Sequence, residues 1–223
     1  MFGLPVSTEY NKRIPKQKFY DNISVTPAMK STFKDRIKSI YWRNKLAAST
    51  LNLAPGEYVT EIEIFEVKLE EQNLDESVLR QIDREIPYHI VFVLEFNGMY
   101  QAWIAYKESV VGGKNAFKVD TYYCTDWLVE NDIPLRIDGL SIDSVYENFV
   151  RQIAGPKLLL NNVESLKESV IRDKRLEELE KKKRTLQTQV RTEKQFNRQV
   201  RLNDELRKTK EIIEKLKKDG ELI

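Results

Sequence analysis

Residues 88–107, YHIVFVLEFNGMYQAWIAYK, decide the fold. Two apolar or alternating runs flank Asn97-Gly98, a dipeptide that accepts the positive φ values of a two-residue hairpin turn, so two antiparallel strands are expected here. Upstream, Asp75 is placed to cap a short helix whose Val78, Leu79, Ile82 and Ile86 share one face, and Pro87 stops it. Before it, residues 58–69 (YVTEIEIFEVKL) alternate as a strand. Their apolar phase slips between Ile64 and Phe65, which predicts a bulge near Ile64. Further upstream, Thr26 and Pro27 suit the start of a helix running to about Ala48, with Met29, Phe33, Ile37, Ile40 and Tyr41 at three- and four-residue spacing. Downstream, a turn at Gly112-Gly113 precedes a strand over 117–125, and Ser141 opens a helix that carries Val145, Tyr146, Phe149, Val150 and Ile153 inward and closes at Gly155-Pro156. The expectation is an α+β fold, a small, mainly antiparallel sheet with helices packed on one face.

The ends of the chain differ from this middle. Residues 1–25 contain Pro5 and Pro15 and no sustained period, so they read as an irregular arm tied down by Phe19 and Tyr20. Residues 26–156 form the globular domain. From Lys157 to Asp219 there is neither Gly nor Pro, and Leu176, Leu179, Leu186 and Val190, then Leu202, Leu206, Ile213 and Leu216, fall at heptad-like spacing. Residues 157–223 therefore read as a helical coiled-coil arm. Between its two apolar blocks, Thr192 to Arg201 offers only Phe196 and Val200, leaving open one long helix with a stutter or a helical hairpin. The arm holds 19 Lys+Arg against 13 Asp+Glu, and the rest 18 against 22, so the net charge of +2 hides two oppositely charged parts.

Several chemistries are excluded by counting. One cysteine, Cys124, and one histidine, His89, provide neither an internal disulfide nor a Cys/His zinc site. Both read as structural: Cys124 as a small buried residue, His89 as a strand start. No apolar run reaches the roughly 18–20 residues that span a bilayer, and no signal-peptide core opens the chain, so a cytoplasmic protein without a membrane partner is expected. Gly-rich phosphate cradles are absent. The acids Asp120, Asp126, Glu130, Asp132, Asp138 and Asp143 fit no Ca²⁺ loop and read as loop acids. Glu66 and Lys68 lie two apart on one strand, the pattern with which PD-(D/E)XK-type nucleases hold Mg²⁺ and activate water, and Gln81 follows on the next helix. The pattern lacks its acidic residue on a preceding strand. An edge strand with a charged outer face explains the pair as well. Lys30, Lys34, Lys38 and Lys45 on the first helix, with Arg43, form a basic face suited to phosphates. Lys181, Lys182, Lys183 and Arg184 form a second cluster, although Glu177, Glu178 and Glu180 are spaced to pair with it.

The segments FGLPVSTEYNKRIPKQKFY, IKSIYWRNKLAASTLNLAPGE, LRQIDREIPYHIVFVLEFNGMYQAWIAYKE and EKQFNRQVRLNDELRK together resemble the bacterial family catalogued as domain of unknown function 4391. The resemblance implies a gene setting beside helicase-like and DNA-methyltransferase genes, as in restriction or antiphage defence. It implies no catalytic residues. The combined expectation is a non-catalytic interaction subunit of a DNA-processing assembly, without cofactor or metal. It would associate through the arm with a second copy or with another protein such as a helicase or methyltransferase. The alternatives are a Mg²⁺-dependent nuclease using Glu66 and Lys68, or a non-specific nucleic-acid binder.

Overall fold

The computed structural model describes residues 1–18, 27–109, 117–158 and 164–221. Thr26, Phe19, Tyr20 and the Gly112-Gly113 turn lie outside them. The chain forms two compact units, Met1–Gly155 and Pro156–Ile223.

Among the described residues, the first unit is built on six strands that lie side by side in chain order: β1 (Glu9–Ile14), β2 (Ile37–Ala47), β3 (Glu61–Leu69), β4 (His89–Phe96), β5 (Met99–Ser109) and β6 (Phe117–Cys124). Every neighbouring pair is antiparallel except β3 and β4. A parallel pair needs a crossover, and helix α3 (Glu76–Glu85) supplies it. This unit also contains α1 (Pro27–Arg36), the single turn α2 (Ala48–Leu51) and α4 (Ile142–Ala154). The β4–β5 hairpin turns at Asn97 (φ 50°) and Gly98 (φ 79°), as the dipeptide predicts. Asp75 caps α3 by accepting from Ser77 N–H at 2.7 Å, and Ser141 caps α4 by accepting from Ser144 N–H at 3.3 Å.

Alternation sorts the strands into two faces. Phe65, Val67 and Leu69 join Ile90, Phe92 and Leu94 in one core with Phe33 of α1 and Val78, Leu79 and Ile82 of α3. Burying each of these apolar side chains contributes about 1.5–3 kcal/mol. The alternate residues Ile62, Ile64, Val91, Val93 and Ile104 are equally buried. They occupy the other face, where α4 packs against β3, β5 and β6.

Four expectations need correction. Helices cover both sheet faces, because the parallel crossover places α3 opposite α4. The first helix stops at Arg36, and Ile37–Ala47 is a strand paired on both sides. β3 pairs with β4 without interruption from Ile62 to Lys68, so the bulge belongs to its partner, between Trp42 and Asn44 of β2. β3 carries apolar residues in both phases because both of its faces are buried. Residues Glu9–Ile14 are not irregular but form the edge strand β1.

In the second unit, α5 (Leu166–Thr192) and α6 (Phe196–Glu221) pack on each other as a hairpin. Ser165 and Glu168 form a reciprocal capping box at the start of α5. Residues 193–195 make the turn, closed by Gln199 Nε2 donating to the Val190 carbonyl at 3.1 Å. The apolar stripe thus meets its own second half. Leu179, Leu186, Leu206 and Ile213 are buried, and Leu176, Val190, Leu202 and Leu216 are half-buried. Lys182–Glu205 (2.7 Å) and Lys217–Glu180 (3.2 Å) bridge the two helices.

Candidate functional site

Glu66 and Lys68 share the α4 side of β3, as the strand period requires. Glu66 is fully buried, and its Oε2 accepts from both Arg43 Nε (2.9 Å) and Arg43 Nη2 (2.6 Å). Arg43 is the additional residue of the β2 bulge, opposite no residue of β3. Lys68 lies 3.8 Å from Glu95 of the parallel neighbour β4. Gln81 is elsewhere, donating to Glu85 at 3.2 Å on the exposed side of α3. Among the described residues, no group of three or more His, Cys, Asp and Glu side chains converges as a metal site would require. The Glu66–Arg43 contact is a forked ion pair that ties the bulged strand to the centre of the sheet.

The two basic clusters are divided by the fold. Lys30 and Lys34 lie on α1, whereas Lys38, Arg43 and Lys45 lie on β2, so no single helix face presents them. Lys38 is exposed, while Lys45 pairs with Glu61 at 2.8 Å. In the hairpin, Lys182 pairs with Glu205 and Lys183 with Glu180; Lys181 and Arg184 are exposed. Lys183 falls on the hairpin seam, three residues before Leu186 and four after Leu179.

Asp143 accepts from the backbone N–H groups of Glu57, Tyr58 and Val59 at 2.7, 3.2 and 2.7 Å. A Cβ at Gly56 would lie 2.3 Å from the Val59 carbonyl oxygen and 2.5 Å from Asp143 Oδ1, so glycine is required in that turn. Asp143 is therefore a structural clasp.

Polar residues that the sequence does not single out form a buried cluster between α3, β5 and β6. Asp83 and Lys107, both essentially inaccessible, pair at 2.8 Å, and the Tyr122 hydroxyl also donates to Asp83. Desolvation raises the pKa of Asp83 against the pull of Lys107. Lys107 also reaches the Tyr88 carbonyl at 2.5 Å. Its own N–H donates to the Tyr146 hydroxyl (2.9 Å), which donates to the Ala105 carbonyl (2.8 Å). His89 does begin β4, packed between Phe117 and Tyr146 at ring distances of 4.6 and 4.3 Å. Burial, assisted by Lys107, lowers its pKa to about 3, so the imidazole is neutral. Cys124, expected to be buried, is exposed at the end of β6.

On the hairpin, the seam includes polar positions that an apolar count passes over: Arg172 and Thr209 are buried beside the leucines. Arg172 is held by Glu164 at 3.1 Å, and Thr209 Oγ1 donates to the Glu205 carbonyl at 2.9 Å. Phe196 and Val200, four residues apart on the first turns of α6, are turned out to solvent, 75% and 50% exposed.

The fold is that of a mixed, helix-flanked sheet followed by a helical hairpin. The chain belongs to the family described as Domain of unknown function (DUF4391), whose model matches residues 2–213. No curated protein and no solved structure matches the chain. Among the described residues, no helix is long and apolar enough to cross a membrane.

Proposed function

We propose that this protein is a non-catalytic interaction subunit of a DNA-processing or defence assembly, with the α5–α6 hairpin acting as a coiled-coil docking element. The observation that carries this reading is the Phe196–Val200 pair at the hairpin tip. Two large apolar side chains at i and i+4 form one ridge, and here both stand outside the buried seam of the hairpin. Apolar anchors that are exposed together near cations, here Lys194, Arg198 and Arg201, have the composition of a protein–protein contact centre with a polar rim. The absorption of Glu66 by Arg43 supports binding over catalysis. The DNA-processing setting rests on the family resemblance alone.

Co-expression of the full chain with the products of its adjacent genes tests the proposal. The wild type is expected to run in solution at a mass above its monomer, and Phe196→Ser with Val200→Ser to run as a monomer with unchanged helical circular dichroism. A wild-type chain that stays monomeric with every neighbour overturns the proposal.

A further inference from the structure

A cavity of about 480 Å³ opens between β1, β2, β3 and the end of α3, lined among others by Tyr10, Trp42, Phe65 and Tyr88. Its size is within the roughly 300–1,000 Å³ of small-molecule sites. Glu63 of β3 also lines it, on the same sheet face as Phe65. That residue is only 1% exposed, and its carboxyl oxygens make no hydrogen bond of ordinary distance and angle, with the Trp42 indole and the Glu61 carboxyl as the polar side chains beside them. A buried polar group without a partner is costly, because it has given up its water without a replacement. Native proteins rarely tolerate that cost without a reason, and a bound group is one.

The surroundings define what Glu63 could meet. Lys45, opposite it on β2, is already paired with Glu61, and the Trp42 indole donates to the Asn44 carbonyl at 3.1 Å. Desolvation pushes Glu63 up to about 8, with Trp42 and Lys45 opposing and Glu61 adding to the rise. At neutral pH its carboxyl is therefore mostly protonated, and offers one donor and one acceptor side by side. Aromatic rings flank it: Trp42 lies 4.1 Å from Tyr10 and 6.1 Å from Phe65. Lys12, Arg13 and Lys18 also line the cavity, with Glu85 as the opposing acid. Lys12 Nζ stands 4.2 Å over the Tyr10 ring.

A flat ring with an adjacent donor and acceptor on its edge, carried on an anion, matches all three features. We propose that this cavity binds a nucleotide, with Glu63 pairing to the base edge, the ring held among Tyr10, Trp42 and Tyr88, and the phosphate met by Lys12 and Arg13. Every base presents a ring or exocyclic acceptor beside a donor, so the contact selects for a base without selecting which one. Free nucleotides and a nucleotide within a single strand share this chemistry. The site is independent of the hairpin and stands or falls separately from it.

Calorimetric titration of the full chain with AMP, UMP, adenosine, ribose 5-phosphate and ten-residue dA and dT single strands tests the proposal. Saturable binding of AMP and UMP at least tenfold tighter than ribose 5-phosphate is expected if free nucleotides are the ligand. Saturable binding of the strands without the mononucleotides is expected if the ligand is a strand. Glu63→Gln keeps a donor and an acceptor and should retain affinity within about threefold, whereas Glu63→Met should lose at least tenfold. Lys12→Ala with Arg13→Ala, both on the exposed strand β1, should erase the advantage of AMP over adenosine. Absence of saturable binding in all arms overturns the proposal. So does a folded Glu63→Met that binds like wild type, or a double variant, Lys12→Ala with Arg13→Ala, that keeps the AMP preference.

Discussion

His89 and Glu63 are both buried ionisable groups held in their neutral forms, and they bend the pH dependence of stability in opposite directions. An unfolded histidine titrates near 6.5, while His89 in the fold is depressed to about 3. Above pH 6.5 it is neutral in both states, and its full contribution to stability is present. Below that, only the unfolded chain takes up the proton, and stability falls by about 1.4 kcal/mol per pH unit until about pH 3. Glu63 behaves oppositely: raised to about 8 in the fold, its contribution is complete below the ordinary carboxylate range and is lost as pH rises towards 8. A wild-type profile therefore sums two opposed slopes. Replacing His89→Phe, which keeps a ring against Phe117 and Tyr146, removes one of them. In urea unfolding at pH 7.5 and pH 5, the stability difference between wild type and His89→Phe should move by about 2 kcal/mol, to the disadvantage of the wild type at pH 5. A constant difference would show that His89 is protonated inside the fold.

At the level of elements, the sequence is most legible where a single local device decides the outcome. Asn97-Gly98, Asp75 and Ser141 each do one thing at one place, and each does it as expected. Strand β2 shows the limit. Ile37, Ile40 and Tyr41 stand at helical spacing, yet the strand has register shifts between Ile37 and Ser39 and between Trp42 and Asn44. The first of these puts Ile37 into the same core as Ile40. A bulge turns a period of two into an apparent three, and only the pairing partner reveals it. The hairpin seam raises a related ambiguity, because heptads specify a stripe without specifying what covers it. Its eight apolar positions are all buried or half-buried, whereas Thr209 is buried at a position that composition would leave to solvent. Leu186→Ala should cost the hairpin about 2–5 kcal/mol. Thr209→Val, which replaces a hydroxyl already spent on its own helix, should cost little or raise stability. Amide hydrogen exchange along α5 and α6 separates the two, and equal protection loss in both variants would contradict the seam assignment.

At the scale of the molecule, the division near residue 155 can be read from the Gly155-Pro156 pair and the change in composition after it. The candidate sites are less legible. Glu66 and Lys68 are visible as a spacing, but Arg43, which absorbs Glu66, comes from a strand whose existence the local pattern conceals. Glu63 looks like one more charge on an alternating strand, since its burial depends on β1, β2 and α3 meeting around it. β1 itself is unreadable, because its residues EYNKRI are nearly all exposed and carry no apolar period. Their polarity has a different significance. Among the described residues β1 is the last strand on its side of the sheet, and its ladder is irregular between Glu9 and Lys12, with Asn11 at φ 49°. A kinked, cationic border cannot accept a flat strand from a neighbouring molecule. Without it, β2 would become the border, with Ile37, Ile40 and Leu46 along its length. Deleting residues 1–14 should therefore turn a dispersed protein into one whose light scattering grows with time and concentration, while a non-aggregating deletion would deny β1 this role. The first strand acts as a guard rail for its side of the sheet: it keeps the apolar length of β2 paired on both sides and away from neighbouring molecules.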